Sequence, residues 1–392
     1  MIYLDYVATT PLDEEIRSTY TKLLTTYFAN SDSAYAPGYE VSRLIEQSRA
    51  HIAKLLHVSP DELIFTSCAS ESNNTAIKGT AFQYMNRGKH IITTAFEHSS
   101  VANTFKQLEE VFGFDVDYVS IDSKGHLDLK ELESLIREDT ILISVMTANN
   151  EIGTIQPVAE IGKIAHEKGI LFHTDAVQAY GHIPINVDEM NIDLLSASGH
   201  KFNGPKGVGI MYIRKGVKIR SFIHGGSQER GRRAGTYNVP GIAGLGTAAK
   251  LAMENMAKRA EKEKELRDYF IDRISAEIPY TVLNGHREDR LPNNINFCFR
   301  FVEGESVLIM LDQAGICASS GSACTSGAID PSHVLRAIGL SDEMAHESLR
   351  LTLSYENTKE EIDTVVGELK RIVERLRGMS PAYKAFLDGE KE

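Results

Sequence analysis

Cysteine is scarce in this sequence: four of the 392 residues are cysteines, Cys68, Cys298, Cys317 and Cys324. None of them has the C-x-x-C spacing that is typical of zinc sites, and no disulfide framework is indicated. We therefore expect no metal site. In a reducing cytosol all four side chains are expected to be free thiols.

Long apolar runs and an excess of positive charge are missing as well. No stretch approaches the roughly 18 consecutive apolar residues that a membrane span needs, and the opening "MIYLDYVATTPLDEE" has no basic segment before an apolar core. The formal net charge is -12, which disfavours direct binding to nucleic acid or to anionic membranes. We predict a cytoplasmic protein.

Short apolar runs alternate with helical patterns from about residue 60 to 215. Runs of this length are typical of strands that are buried on both faces, and the alternation favours an α/β fold with a mostly parallel sheet. The predicted strands lie at 63–67, 90–94, 115–121, 141–146, 170–176, 192–198 and 208–213.

Two helical patterns complete this organisation. "VAEIGKIAHEKG" places Val158, Ile161 and Ala165 on one face, with Gly169 at the expected C-terminal cap. A charged amphipathic pattern at 250–278 predicts a long helix that links two domains. We expect a large domain over 13–255, and a smaller α+β domain formed by 1–12 together with 256–392.

Polar residues follow five of the predicted strands, where ligands gather in open α/β sheets. One such stretch, "SGHKFNGPKG", contains Lys201, whose amine would be partly desolvated if the second domain closes over it. Asp175 follows a neighbouring strand, and its carboxylate can pair with a protonated pyridine nitrogen. A cofactor-binding lysine and such an aspartate are the minimum equipment of a pyridoxal phosphate site.

A phosphate group needs hydrogen-bond donors, preferably at a helix N-terminus. "CASESNN" offers backbone N–H groups at Cys68, Ala69 and Ser70, and Ser198 and His200 flank the lysine. An alternative is a capping box formed by Ser70 and Asn73, which has a similar geometry.

The segment "ASSGSACTSG" at 318–327 has no large apolar side chain that could anchor it, yet it contains Cys324. Free cysteine is usually a small buried hydrophobe, so a thiol in this setting indicates reactivity.

These stretches resemble the NifS/IscS-type cysteine desulfurases, which depend on pyridoxal phosphate and belong to the class-V aminotransferase family of fold-type I enzymes. The resemblance covers essentially the whole chain, through motifs that occur in the same order. They are "YLDYVATTP", "TSCASESNN", "EHSS", "NNEIGT", "TDAVQA", "SASGHKFNGPKGVG", "GGSQERGRRAGTYNVP", "ASSGSACTSG" and "SLRLTLS". It implies a large domain with a mostly parallel sheet sandwiched by helices, as in aspartate aminotransferase, plus a smaller α+β domain.

The resemblance also implies a role for each matching residue. Lys201 would carry the cofactor, Asp175 would pair with its ring nitrogen, Gln178 would bind its phenolic oxygen and His98 would stack on the ring. Ala69, Ser70, Ser198 and His200 match phosphate-binding positions, and Thr236 matches a phosphate ligand that the partner subunit of a homodimer donates. Asn150 and Arg350 would hold the substrate carboxylate, Arg350 in a bidentate manner.

The reaction that this resemblance implies is the conversion of L-cysteine to L-alanine. Lys201 removes the α-proton, and Cys324 as thiolate takes the sulfur as a persulfide for a protein acceptor. Iron–sulfur cluster assembly and tRNA thiolation are the expected uses. The alternatives are an aminotransferase, a selenocysteine lyase or another lyase of the same fold, and a non-catalytic sulfur acceptor or scaffold.

Four residues depart from the family pattern: Tyr6, Val7, Tyr35 and Cys68. Tyr35 replaces a histidine that is expected near the mouth of the active site, and Cys68 stands where glycine is common. None of these changes touches Lys201, Asp175 or Cys324. We expect them to alter the substrate pocket and not the class of reaction.

Overall fold

The computed structural model describes residues 1–320 and 330–389. Cys324 lies outside the described residues. The described part of the chain contains twelve strands, which are, in chain order, β1 Ile2–Tyr3, β2 Leu63–Thr66, β3 His90–Thr94, β4 Asp115–Val119, β5 Thr140–Ser144, β6 Leu171–Asp175, β7 Leu194–Ser198, β8 Gly209–Ile213, β9 Thr281–Leu283, β10 Asn294–Phe299, β11 Ile316–Cys317 and β12 Ser348–Thr352.

The same residues also form α-helices. These are α1 Glu14–Thr26, α2 Ala36–Leu56, α3 Ala69–Tyr84, α4 Ser99–Phe112, α5 Leu129–Leu135, α6 Val158–Glu167, α7 Val239–Glu277, α8 Gly304–Gln313, α9 His333–Ala337, α10 Asp342–His346, α11 Lys359–Met379 and α12 Pro381–Gly389. None of the helices described here is long and apolar enough to cross a membrane.

Seven strands form the central sheet in the order β2-β8-β7-β6-β5-β3-β4. β8 is antiparallel to both of its neighbours, and the remaining pairs are parallel. Nearly every residue of these strands is buried because helices cover both faces, which is why the sequence shows continuous apolar runs. The structure confirms all seven predicted strands and the mostly parallel α/β architecture.

The two largest apolar cores of the described residues include opposite ends of the long helix α7. The larger core surrounds the central sheet and includes residues of α7 as far as Ala252. The second core contains Leu4 and the residues of α7 from Leu266 onwards. The second core packs beneath an antiparallel sheet of order β12-β10-β9, which forms the smaller α+β unit with α8 and α11. The opening strand β1 pairs with β11 in this part of the molecule.

Helix α7 begins eleven residues before the charged segment that predicted it, at Val239 and not near residue 250. Its first turns contain glycines at positions where other chain segments approach closely. A Cβ on Gly244 would lie 2.5 Å from Pro205 Cγ, and one on Gly246 would lie 2.6 Å from Ser48 Cα. These glycines weaken the helical pattern in the sequence, but close packing against α2 stabilises the helix.

Candidate active site

A cavity of about 290 Å³ lies at the carboxyl ends of the parallel strands, beside the antiparallel sheet of the smaller unit. Its lining contains ten of the twelve predicted site residues: Ala69, Ser70, His98, Asn150, Asp175, Gln178, Ser198, His200, Lys201 and Arg350. The other two are Thr236, which does not line this cavity, and Cys324.

Lys201 ends a short 3-10 turn that follows β7. Its Nζ atom donates hydrogen bonds to two backbone carbonyls of the opening segment, Val7 O at 2.7 Å and Ala8 O at 2.9 Å. The side chain of Gln178 donates to the same Val7 carbonyl at 3.2 Å. The opening segment therefore forms one wall of the cavity and holds the amine in place.

Asp175 is the last residue of β6, and its carboxylate is buried. Its Oδ2 atom accepts a hydrogen bond from Asn73 Nδ2 at 2.7 Å, and Oδ1 accepts one from the backbone N–H of Val177 at 3.0 Å. These two donors fix the orientation of the carboxylate. The cavity thus contains a buried carboxylate, held in one orientation, that suits a protonated ring nitrogen.

His98 is the N-cap of α4, and its Nδ1 atom accepts a hydrogen bond from the backbone N–H of Ser100 at 3.1 Å. Burial lowers the pKa of His98 below its usual value, Asp175 opposes this shift, and the Lys201 ammonium adds to it. The imidazole is accordingly neutral near pH 7, with its proton on Nε2. A neutral, oriented ring is suited to stacking on a planar ligand.

The phosphate-binding prediction falls at the N-terminus of α3, which begins at Ala69 with Cys68 as its N-cap. The first N–H groups of an α-helix have no partner within the helix, so Ala69 and Ser70 present donors to an anion. The predicted capping box between Ser70 and Asn73 is wrong, since the Asn73 amide instead reaches Asp175 and Ser100.

Ser198 and His200 complete this end of the cavity. Burial, followed by the charges of Lys201 and Lys206, lowers the pKa of His200 to about 4. Its Nδ1 atom lies 3.2 Å from Thr9 Oγ1. At neutral pH His200 can therefore contribute a hydrogen bond to a bound anion, but no positive charge.

Arg350 lies in β12, opposite Asn296 of β10, and its side chain is 3% exposed. Nη2 donates to Asp5 Oδ1 at 3.0 Å, and Nη1 lies 3.4 Å from Asn150 O. The buried Nε atom has no hydrogen-bond partner in the described structure. Arg350 thus places a buried guanidinium in the lining of the cavity, and a guanidinium is a group that can bind a carboxylate.

Several residues around the cavity were not identified from the sequence. Asn73 orients Asp175, Asp5 pairs with Arg350, and the carbonyls of Val7 and Ala8 hold Lys201. Asn73 stood within a quoted motif, but its role depends on a contact between residues 102 positions apart in the chain.

The departures from the expected motifs have different surroundings. Val7 and Cys68 line the cavity, whereas Tyr6 is buried and packs edge-on against Tyr3. Tyr35, which was expected near the mouth of the site, is 52% exposed before α2 and is not part of the cavity lining. The three described cysteines, Cys68, Cys298 and Cys317, are free thiols.

Comparison with known proteins agrees with this geometry. The family model described as Aminotransferase class-V matches residues 2–365. Cysteine desulfurase IscS of Dictyoglomus turgidum is 52% identical over 383 residues, which are 98% of this chain and 97% of that protein. The chain belongs to the cysteine desulfurases of the class-V aminotransferase family.

Solved structures show the same relationship. A NifS-like protein superimposes with a TM-score of 0.89 at 40% identity and covers 95% of this chain and 99% of its own. A structure described as SspA in complex with cysteine has a TM-score of 0.81 at 37% identity, and it covers 91% of this chain and 100% of its own. The chain is thus an enzyme with the complete fold of this family.

Proposed function

We propose that the cavity binds pyridoxal 5'-phosphate and that the enzyme converts L-cysteine to L-alanine, with transfer of the sulfur to Cys324. The observation that carries this proposal is the meeting of Lys201, Asp175 and Arg350 in one cavity. These residues supply an amine, a fixed carboxylate and a carboxylate-binding guanidinium. The SspA structure with cysteine supports the choice of substrate.

The donor set of the cavity fits the proposed cofactor. Ala69 and Ser70 at the start of α3, together with Ser198 and His200, would hold the phosphate. Asp175 would pair with the ring nitrogen, His98 would stack on the ring and Gln178 would bind the phenolic oxygen. When bound, pyridoxal phosphate supplies an electron sink that makes the α-proton of an amino acid acidic.

Lys201 would hold the cofactor and then move the α-proton of the substrate. The carbonyls of Val7 and Ala8 keep its Nζ atom in the cavity, within reach of both roles. Arg350 would bind the substrate carboxylate through its guanidinium, which lines the cavity, with Asn150 beside it. This contact would orient the amino acid so that its α-proton faces the lysine.

Cys324 would attack the sulfur of the substrate as a thiolate. The residues on either side of its segment support this role, because both flanks lie beside the cavity. The backbones of Ser319 and Arg350 exchange two hydrogen bonds, and Ser332 Oγ donates to Glu151 Oε2, next to Asn150.

Several finer assignments are part of the same proposal. Thr236 is exposed at the end of the segment that precedes α7, where it could reach the phosphate of a partner subunit in a homodimer. A protein acceptor would then receive the persulfide sulfur for iron–sulfur cluster assembly or tRNA thiolation in the cytoplasm. The division into 13–255 and the remainder also stays a proposal, with the two apolar cores in its support.

Replacement of Cys324 by serine tests the reaction. We expect Cys324→Ser to keep the visible absorbance of the bound cofactor but to lose sulfide release from L-cysteine in the presence of dithiothreitol. Cys317→Ser, which removes a different thiol, one that is partly buried, serves as the matched control and should retain turnover. Substantial sulfide release by Cys324→Ser would contradict the role of Cys324.

The nature of the product separates this reaction from the alternatives. The desulfurase forms alanine in amounts equal to sulfide, whether or not an amino acceptor is added. Formation of pyruvate, or a requirement for an acceptor, would instead indicate a lyase or an aminotransferase. Lys201→Ala should lose the absorbance of the bound cofactor on gel filtration, and a colourless wild-type enzyme after incubation with pyridoxal phosphate would contradict the cofactor assignment.

A further inference from the structure

The guanidinium of Arg350 already has an anionic partner in the cavity. Asp5 Oδ1 accepts a hydrogen bond from Arg350 Nη2 at 3.0 Å, and the two side chains are 21% and 3% exposed. The low exposure of both groups reduces the screening of this ion pair by water. Any carboxylate that binds Arg350 therefore enters a site in which one negative charge is already present.

Asp5 is placed there by its backbone and not by its carboxylate. Its carbonyl accepts hydrogen bonds from Tyr3 Oη at 3.1 Å and from the backbone N–H of Ala8 at 3.0 Å. The residue also forms a parallel bridge with Thr352, at the end of β12. Since these contacts use main-chain atoms, a change of the side chain should leave the opening segment folded.

The other acid near Arg350 has a different environment. Glu151 accepts a hydrogen bond from Ser332 Oγ at 2.5 Å, and its carboxyl is almost fully buried. Burial raises the pKa of Glu151, although Ser332 and Arg350 oppose the shift. Asp5, with its greater exposure and its direct ion pair, is consequently the main counterion of Arg350.

We propose that Asp5 is a positioning residue that orients Arg350 and limits how tightly this arginine binds carboxylates. The proposal rests on the function assigned above to Arg350. Asp5 already occupies Nη2, one of the donors that a carboxylate could use, and its charge partly offsets the attraction of the guanidinium. The same effect applies to L-cysteine and to L-alanine, so Asp5 weakens retention of the product.

Comparison of the product L-alanine with its uncharged-carboxyl analogue L-alaninamide in the holoenzyme tests this proposal. L-alanine carries a carboxylate, whereas L-alaninamide has nearly the same shape without the negative charge. In Asp5→Asn we expect the competitive inhibition constant of L-alanine to fall about tenfold, because removal of a nearby like charge strengthens its binding. The constant for L-alaninamide should stay within about twofold of the wild-type value.

Control variants separate the local charge from other effects. Asp5→Glu keeps the charge and should restore an L-alanine constant within about twofold of the wild type. Glu167→Gln removes an exposed acid at the end of α6, near the amino end of β6, whereas the cavity lies at the carboxyl end of that strand. It should change neither the L-alanine constant nor the L-alaninamide constant. Asp5→Ser is a second neutral variant that also loses the acceptor for Nη2, so it should bind L-alanine less tightly than Asp5→Asn if Asp5 orients Arg350.

Each unfavourable outcome has a distinct meaning. If Asp5→Asn binds L-alanine no more tightly than the wild type, or if the constants for L-alanine and L-alaninamide change equally, the role of Asp5 is wrong. If neither neutral variant yields folded holoenzyme, the carboxylate is needed for folding and the proposal is likewise overturned. If the wild-type enzyme itself does not distinguish L-alanine from L-alaninamide, the carboxylate-binding function of Arg350 fails instead.

Discussion

Arg49 of α2 and Glu229 form a bidentate ion pair, with both N–O distances at 2.8 Å and side chains that are 2% and 1% exposed. The carboxylate also accepts a hydrogen bond from the backbone N–H of Phe65 in β2 at 3.2 Å. Glu229 and the next residue, Arg230, have left-handed backbone conformations, which are unfavourable for residues other than glycine. The buried pair thus holds a strained turn seven residues before Thr236.

Loss of one partner of this pair should destabilise the protein strongly. We expect Glu229→Gln to lower the free energy of unfolding by about 3–5 kcal/mol, because Arg49 would stay buried without its counterion. Urea denaturation measures this change. Glu46→Gln removes the exposed second partner of Arg49 and should cost less than about 1 kcal/mol. Equal effects of the two variants would show that the Glu229 pair contributes no more than a surface contact.

Glu97 should make stability depend on pH. Burial raises the pKa of Glu97 to about 8 in the folded protein, from 4.5 for an exposed carboxyl. Because the pKa is raised in the folded state, the contribution of Glu97 to the free energy of unfolding is fully present below about pH 4.5. This contribution is lost as the pH rises towards 8, by at most about 1.4 kcal/mol per pH unit.

Glu97→Gln should remove the fall in the free energy of unfolding that Glu97 causes as the pH rises. Oε1 of Glu97 accepts hydrogen bonds from Thr94 Oγ1 and the Met146 N–H, and a glutamine oxygen can keep both. Chemical denaturation between pH 5 and 8 would then show a flatter profile than that of the wild type. The exposed Glu138→Gln variant should keep the wild-type slope. A slope in Glu97→Gln equal to that of the wild type would contradict the assignment.

Arg350→Lys should impair substrate binding although it keeps the positive charge. A lysine ammonium cannot keep the contacts of Arg350 with Asp5 and the Asn150 carbonyl and also present a further donor to a carboxylate in a fixed direction, so we expect KM for L-cysteine to rise about 10- to 100-fold. Steady-state sulfide release measures it, and Arg371→Lys on the exposed side of α11 provides the control. A KM within about twofold of the wild type would argue against Arg350 as the carboxylate ligand.

His98 should be a neutral Nε2–H tautomer at pH 7. The backbone N–H of Ser100 donates to Nδ1, and burial keeps the pKa of the ring below 6.5. 15N NMR of protein labelled at the histidine rings can detect the tautomer and the titration of the imidazole. The His98 signals are assigned by their absence in a His98→Gln variant. A pKa above 6.5, or a proton on Nδ1, would contradict this description of the site.

The seven central strands could be predicted because their burial on both faces produces a signal within each segment. The runs at 63–67 and 208–213 were visible without knowledge of their partners, and the structure places them side by side as β2 and β8. Their antiparallel pairing could not be predicted, since it depends on the path of the chain between them. The start of α7 was not predicted because its glycines disfavour a helix locally, and the helix is stabilised there by close packing against other segments.

The residue types and their order along the chain were sufficient to indicate the family, the reaction and ten residues that line the cavity, because reactive groups are restricted to few residue types. The partners of those groups came only from the folded molecule. Asp5 and Arg350 are 345 positions apart, and Lys201 reaches carbonyls 194 and 193 positions away. Hydrogen bonds of this kind depend on which distant segments the fold brings together. A local pattern of side chains contains no information about those contacts.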